Sequence, residues 1–423
     1  MKILVIGSGG REHALCWTFK RSESVSEIFC ANGNAGIGEI AGLVDIKPDE
    51  IKKLADFAEA NEIDLTFAGG ETSLALGVVD EFESRGLPIV GPSQKAAELE
   101  ASKSFAKDFM ARHSIPTAKY KTANSTGEAK EILTSGFFGD RETPVVVKAD
   151  GLAAGKGVVV ARNRGEAEEA IDGLENLVGA EATQKIVLEE CLVGREVSLI
   201  LFADGKNFAL MPPARDHKRI GENDTGANTG GMGVITDAGL LSPEQTSEIV
   251  EKIIRPTLDG AEREGFPYRG ILFLGLMMTE EGAKVLEYNV RFGDPETQAI
   301  LVRLENDFVE VCRAIIEGKL NQVTFNWKEG SSTTVVLASR GYPGKAQTGD
   351  PIRGLDAVLT QEEVVVFHAG TEKNSEGEFI TAGGRVLAVT ATARNLNGAI
   401  HRAYKAVNEI DWEGMQYRRD IGK

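Results

Sequence analysis

Cysteine is scarce in this sequence and nowhere paired. Four occur in 423 residues, at Cys16, Cys30, Cys191 and Cys312. None forms a Cys-x-x-Cys pair or has a histidine at ligand spacing, which argues against a disulfide scaffold or zinc ribbon and leaves buried or free thiols of a reducing cytoplasm. Basic charge is short as well. Lys and Arg total 47 against 64 Asp and Glu, giving a formal charge of -17 and a pI near 5.0. A polyanionic partner such as nucleic acid is therefore not expected, and any bound phosphate must meet a local cluster of cations. No apolar run approaches bilayer length, and Met1-Lys-Ile-Leu-Val-Ile-Gly7 reads as a short buried strand entering a glycine turn rather than a signal peptide. A cytoplasmic protein without membrane contact is the expectation. There is no internal repeat or low-complexity tract, and a composition 42% hydrophobic and 26% charged suits two to four globular domains at this length.

Two nucleotide motifs are present only in part. After the first β run, Gly7 and Gly9 fit Gly-x-Gly-x-x-Gly, but the third glycine position is Glu12, and the next strand ends in Asn32 rather than an acid for a ribose. This argues against NAD. The turn and the helix it opens retain amides at Gly9 and Gly10, with Arg11 alongside, suited to a single phosphate. Glu71 follows the strand near residues 64–68, where open parallel sheets bind ligands; it reads equally as a helix-capping acid. Further along, Asp150-Gly-Leu-Ala-Ala-Gly-Lys-Gly157 lacks the first glycine and the Ser/Thr of a Walker A loop, and β runs flank it on both sides. It is either an ordinary glycine hairpin or a flexible cover over a triphosphate, with Lys148 on the entering strand touching the phosphates. The acid-rich strand end Glu189-Glu190-Cys-Leu192 and Glu196 reads as a partner for adenosine or as solvated charge at a turn.

The chain is organised around residues 285–296, Val-Leu-Glu-Tyr-Asn-Val-Arg-Phe-Gly-Asp-Pro-Glu. Leu286, Tyr288 and Val290 alternate with Glu287, Asn289 and Arg291, so in a strand the three polar side chains share one face. Oxygen donors from Glu287 and Asn289 suit a hard cation such as Mg2+, and Arg291 suits a phosphate or carboxylate. The alternative is the plain polar face of a half-buried strand. Residues 213–233 show no period of 2 or 3.6 and predict a long loop serving a site, in which Asn228-Thr-Gly-Gly-Met-Gly233 offers closely spaced amides to an anion. His217, alone in a basic run, reads as a structural hydrogen-bonding residue. Beyond Trp327 the pattern turns strand-rich, with few convergent polar groups, and Arg340-Gly-Tyr-Pro343 reads as turn chemistry.

With lysine, glycine hairpin, acidic strand end and polar strand in this order, the chain resembles the ATP-grasp ligases, and among them the phosphoribosylamine-glycine ligase (glycinamide ribonucleotide synthetase) family. The motifs that carry the resemblance begin with Met1 to Ala14 and Lys148 to Gly157. They continue with Asp216-His-Lys-Arg219, Asn228 to Gly233 and Asn289-Val-Arg-Phe-Gly-Asp-Pro-Glu-Thr297, so that they span the chain from residue 1 to about 300. The resemblance implies an α/β and α+β multidomain chain. Its parts would be an N-terminal doubly wound parallel sheet over 1–100 that binds phosphoribosylamine, an ATP-grasp core over 101–120 and 191–326, an inserted mobile lid over 121–190, and a strand-rich C-terminal domain over 327–423. It implies ATP, Mg2+ or Mn2+, glycine and 5-phosphoribosylamine as ligands, with glycyl phosphate as the intermediate of purine synthesis, in a monomer or homodimer.

Carried over residue by residue, the ATP site would contain Lys103, Lys148, Gly151, Gly155, Lys156, Gly157, Glu189, Glu190, Leu192 and Glu196. Glu287 and Asn289 would hold the metal. Gly9, Gly10, Arg11, Glu71, Asp216, Lys218, Asn228, Thr229, Gly230, Gly231, Arg291 and Asp294 would line the acid and amine side. Lys148, Arg291 and Asp294 would be catalytic, Asp294 as base for the incoming amine. Two departures stand out. Many ATP-grasp enzymes carry another metal-binding acid about a dozen residues before Glu287, where this chain has Gly275, and the family's Gly-Pro-Glu-x-Pro-Leu reads here Gly69-Gly-Glu-Thr-Ser-Leu74. Another ligase of the same architecture, a noncatalytic ATP sensor and an NAD-dependent oxidoreductase are the rival readings.

Overall fold

The computed structural model describes residues 1–151, 157–179 and 184–423. The first unit is a five-stranded parallel sheet in the order Gly42–Val44, Glu27–Asn32, Lys2–Gly7, Leu65–Ala68, Ile89–Val90. Its central strand is a continuous apolar run because helices cover both faces, and Ile3 to Ile6 are fully buried. The strand ends point toward the helix Gly10–Lys20 and the turn before Glu71–Ala75.

A second sheet of four antiparallel strands runs Tyr120–Ala123, Ile186–Glu190, Val145–Ala149, Val158–Ala161. It has its own apolar core, built from Val145, Val147, Ile186 and Leu188 against Ala167, Ile171 and Leu174 of the helix Arg164–Val178. The glycine hairpin connects two of its strands, and Ala149 N–H donates to Gly157 O at 2.9 Å to close the stem.

The third sheet joins the centre of the molecule to the C-terminal region. Its main order is Gly282–Asn289, Arg269–Thr279, Arg195–Asp204, Ala214–Asp216, Gly233–Thr236, Ser331–Ala338, Arg385–Ala393, Val364–His368. The antiparallel pairing of Gly233–Thr236 with Ser331–Ala338 makes the strand-rich C-terminal region continuous with the central sheet. Phe67 of the N-terminal sheet stacks on Phe292, ring centroids 6.0 Å apart, and Phe202 and Phe308 complete the cluster. This aromatic packing sets the end of the polar strand directly against the N-terminal sheet.

One local expectation is corrected, and two helical stretches are interrupted. Residues 213–233 are not one loop: Ala214–Asp216 enters the large sheet, and Arg219–Gly221 pairs with Thr225–Asn228 as a hairpin. Strands of three or four residues are too short to display an alternating pattern. Residues 296–317 form two helices, Glu296–Leu301 and Phe308–Glu317, because Asp307 caps the second through Val309 N–H at 2.9 Å. The helical stretch from Pro243 to Arg263 is interrupted by a wide turn at Val250–Ile254, where Pro256, lacking an N–H, cannot continue the ordinary bonding.

Candidate active site

The alternation seen in the sequence appears in space. Tyr288 and Val290 are buried in the core, and Tyr288 Oη shares a 2.8 Å hydrogen bond with Thr257. On the opposite face Arg291 donates to Asn289 Oδ1 at 3.1 Å. Glu287 lies among four cations, Lys218, Lys148, Lys103 and Arg291. Burial would raise its carboxyl, but their combined field outweighs it and holds the group below the ordinary carboxylate range. Its oxygens have no hydrogen bond or ion pair among the described residues. One ionised carboxylate and one amide oxygen are hard donors that fit a cation such as Mg2+, which takes its remaining ligands from phosphates and water. Gly275 stands opposite Glu287 across the strand pair, and a Cβ there would lie 3.2 Å from Glu287 Cγ. An acid at 275 would thus press on Glu287.

Beside this face, Glu189 bridges two lysines. Its carboxylate lies 2.8 Å from Lys148 Nζ and 2.9 Å from Lys107 Nζ, and all three side chains are buried. Lys148 also donates to Leu286 O at 3.2 Å, which fastens the four-stranded sheet to the polar strand. Burial lowers Lys107 to about 8 against the pull of Glu189, and Lys107 donates to Thr117 Oγ1 at 2.7 Å. Lys103 reaches Gly151 O at 3.1 Å, and Asp150 accepts from Ser104 N–H at 2.6 Å, so the start of the glycine hairpin is moored to the helix Lys103–Arg112. Gly151 and Gly157 flank this stem. Gly155 and Lys156 lie outside the described residues. Glu190 accepts from Lys119 N–H at 2.9 Å, Leu192 follows in the turn, and Glu196 pairs with Lys218 at 3.1 Å. Lys218, expected on the acid and amine side, therefore stands between the two halves.

On that side Arg291 is already clamped. It donates to Glu71 at 3.2 Å, Glu100 at 2.7 Å, Asn289 at 3.1 Å and Phe292 O at 3.2 Å. Of the five N–H groups of a guanidinium, one is left without a partner among the described residues. Burial would raise Glu71, but Arg291 and Arg11 outweigh it and bring it to about 2. Arg11 donates to Glu12 at 2.6 Å and to Phe292 O at 3.1 Å, and Gly9 N–H is taken by Glu12 at 2.7 Å. The Gly9 amide is thus engaged rather than open to a phosphate, and Gly10 lies beside the amide of Gln298.

The run 228–233 holds its own amides too. Thr229 N–H donates to Lys218 O, Gly230 N–H to Tyr342 Oη, Gly231 N–H to Thr229 Oγ1 and Met232 N–H to His217 O, at 2.8 to 3.0 Å. Asn228 is paired with Arg219 in the hairpin. The expected row of open amides is absent among the described residues, because Lys218 O, Tyr342, Thr229 and His217 O have already taken them. What the run does is fix Gly231, at φ 112°, against Asp216 and Pro295.

The two carboxylates differ. Asp294 accepts from Gln298 at 2.7 Å and lies 3.2 Å from Arg385. Burial would raise it, but Arg385, Arg11 and Gln298 keep it low. Asp216 is raised by burial and by Glu296, and its Oδ1 is buried without a protein partner among the described residues. His217 is buried, with Nε2 accepting from Gly422 N–H at 3.2 Å, and burial lowers it to about 4. It is a neutral structural residue.

Sequence reasoning passed over Lys107, Glu12, Glu100, Glu296, Tyr342 and Arg385. Lys107 carried a signal: it interrupts the apolar face of its helix beside Ala106, Phe109 and Met110. Arg385 and Tyr342 carried none, and they correct the expectation that the C-terminal region brings few polar groups to the site.

Models of the phosphoribosylglycinamide synthetase N domain, ATP-grasp (A) domain and C domain match residues 1–100, 101–297 and 332–423. The chain belongs to this family. It is 49% identical over 426 residues to a phosphoribosylamine–glycine ligase of Vibrio vulnificus, covering 100% of this chain and 98% of the relative. A Caldanaerobacter subterraneus relative with the same name is 45% identical over 422 residues, with coverage of 100% and 99%. The family's fold is seen in the crystal structure of the Thermotoga maritima phosphoribosylamine–glycine ligase, which is 33% identical and superposes with a TM-score of 0.84 over 100% of both chains. The biotin carboxylase domain of the Hydrogenobacter thermophilus 2-oxoglutarate carboxylase, described in complex with MgADP, ADP and bicarbonate, shares the fold at 18% identity and a TM-score of 0.73, covering 98% of this chain and 91% of that one. Among the described residues, no helix is long and apolar enough to cross a membrane.

Proposed function

We propose that this protein ligates glycine to 5-phosphoribosylamine with ATP, forming glycinamide ribonucleotide, ADP and phosphate for purine synthesis in the cytoplasm. The observation that carries the reading is the convergence of Glu287, Asn289 and Arg291 with Lys103, Lys148 and Lys218, in a chain alike over its whole length to ligases of that name. A carboxylate is a poor acyl donor because expelling oxide is prohibitive. Phosphorylation by ATP gives glycyl phosphate, which the amine attacks with release of phosphate, and no enzyme nucleophile is needed.

Lys103 and Lys148 stabilise charge on the transferring phosphoryl oxygens. Glu189 orients Lys148, and the strand end at Glu190, Leu192 and Glu196 faces the adenosine. Glu287 and Asn289 would hold a magnesium or manganese ion, which would supply positive charge to neutralise phosphate oxygens. Arg291, clamped by Glu71 and Glu100, fixes Asn289 and presents its remaining N–H toward the acceptor. Gly9, Gly10, Arg11 and Glu71 form the wall on the ribose-phosphate side. Closure of the four-stranded unit would keep water from glycyl phosphate.

The proton lost by the attacking amine needs an acceptor that is not already bonded. Asp216 meets that requirement better than Asp294, since its Oδ1 is unpartnered and burial raises its pKa. The test is ADP release with glycine and phosphoribosylamine against a panel of other acids and amines. Selective, amine-dependent turnover with glycine supports the reading; nucleotide binding without turnover, or preference for another pair, sinks it.

A further inference from the structure

The C-terminal region reaches Asp294 and the 228–233 run through Arg385 and Tyr342. At the start of the strand Arg385–Ala393, Gly384 packs so closely on the Tyr342 ring that a Cβ there would collide with it. From there Arg385 Nη1 donates to Gly230 O and to Asp294 O, each at 2.6 Å, and its Nη2 lies 3.2 Å from Asp294 Oδ2. Tyr342 Oη accepts from Gly230 N–H at 3.0 Å. Both polar groups that flank the Gly230 α-carbon are thus held by side chains from beyond residue 327. A Cβ on Gly230 would stand 3.1 Å from the guanidinium carbon, so the arginine lies flat against that residue.

The two segments joined in this way also meet where Gly231 packs against Pro295. Residues 228–233 bring Gly231 to within reach of Asp216, and residues 293–298 carry Asp294 and Glu296. A planar fork with several donors in fixed directions can bind two carbonyls and a carboxylate at once and set their relative directions, which the rotating point charge of a lysine does not.

We propose that Arg385, assisted by Tyr342, is a positioning residue that fixes the Gly230–Gly231 segment relative to Asp294 and so shapes the side of the site that receives the acid and amine. The inference rests on the proposed ligase reading. It acts through Gly230 and Asp294, and neither touches Lys148, Glu189 or Lys107. Loss of the guanidinium should therefore disturb the acceptor side and spare ATP.

The experiment measures ADP release for the whole enzyme and its Arg385→Met, Arg385→Ala and Tyr342→Phe variants, varying ATP, acid and amine in turn. Should the wild type prove to couple a different acid and amine, the ligase reading falls, and the variants are measured on the pair it does couple. Arg385→Met should lose on the order of 10²-fold in kcat/KM for acid and amine, the scale of a misplacement of about 1 Å, while its KM for ATP stays within about twofold. Tyr342→Phe should show a smaller loss of the same pattern, and free guanidinium should restore part of the Arg385→Ala activity. Unchanged constants for acid and amine, or a fall in kcat that follows the folded fraction with every KM unchanged, would overturn the proposal. If the arginine variants do not fold, Tyr342→Phe decides alone: a shift confined to acid and amine supports it and wild-type constants overturn it.

Discussion

Glu189→Gln is the most informative single perturbation of this fold. In the wild type one buried carboxylate compensates two buried lysines, at 2.8 Å from Lys148 and 2.9 Å from Lys107. The amide keeps the shape but removes the charge, leaving two ammonium groups with no counter-ion in the contact. Uncovering a buried charge costs roughly 3–5 kcal/mol. Glu189 and Lys148 belong to the four-stranded sheet and Lys107 to the helix beneath it, so the cost should appear as local opening of that sheet. Hydrogen exchange of the strands Val145–Ala149 and Ile186–Glu190 should then be about 10²- to 10⁴-fold faster than in the wild type at pH 7.

The pH dependence supplies a second check. Burial, opposed by Glu189, sets Lys107 at about 8, against 10.5 for an ordinary lysine. A base whose folded value lies below its unfolded value binds fewer protons when folded, so the folded state gains stability as pH rises from the folded value to the unfolded one. Without Glu189 the lysine falls further and the variant gains over a wider window. The gap between variant and wild type should narrow as pH rises toward the wild-type value of about 8, by about 1.4 kcal/mol for every unit that the lysine drops, and stay constant above it. Exchange within about threefold of wild type at neutral pH, or a gap that widens with pH, would refute the charge argument.

Glu287→Ala should lower kcat by on the order of 10²-fold or more, and near-normal turnover at saturating Mg2+ would remove that residue from the mechanism. Glu71→Gln tests the clamp on Arg291 through acid unfolding. The Glu71 carboxyl sits at about 2 rather than 4.5, where Arg291 and Arg11 outweigh burial. At about 1.4 kcal/mol per unit this is about 3 kcal/mol, present above the unfolded value and lost as pH falls toward the folded one. The stability difference between wild type and variant should close between pH 4.5 and about 2, and a difference that persists at the acid end contradicts the assignment. Asp216→Asn should abolish the rise of kcat/KM with pH that a carboxylate base produces, whereas Asp294→Asn should keep it; the reverse result would restore Asp294 as base.

Much of this architecture is legible in the chain because it rests on local pattern. The apolar run Ile3 to Ile6 announces a strand covered on both faces, and the alternation from Leu286 to Arg291 announces a strand with one polar face. Glycines at 7, 151 and 157 mark turns. What was not legible depends on partners far apart in sequence. Arg385 and Gly230 are separated by 155 residues, and Arg291 and Glu100 by 191. The amides of the 228–233 run looked open because spacing reveals how many donors are present but not whether other groups have already taken them. Asp294 looked like a base because its motif is acidic, yet its partners, Arg385 from the C-terminal sheet and Gln298 one helical turn on, decide its proton affinity.

Those distant partners also reconcile the acidity of the chain with a site for a triphosphate. Of the four cations around Glu287, three are paired with acids: Lys148 with Glu189, Lys218 with Glu196, and Arg291 with Glu71 and Glu100. Lys103 instead meets a carbonyl, Gly151 O, and burial lowers its pKa. In a molecule carrying -17 overall, a bare cluster of four cations would repel itself and collapse onto whichever carboxylates lay nearest. Pairing three of them with defined acids, and Lys103 with a carbonyl, holds the cations in place before any phosphate arrives, so little reorganisation remains when charge develops. The acids that looked like an obstacle to phosphate binding are, on this argument, what keeps the cationic groups protonated and aimed.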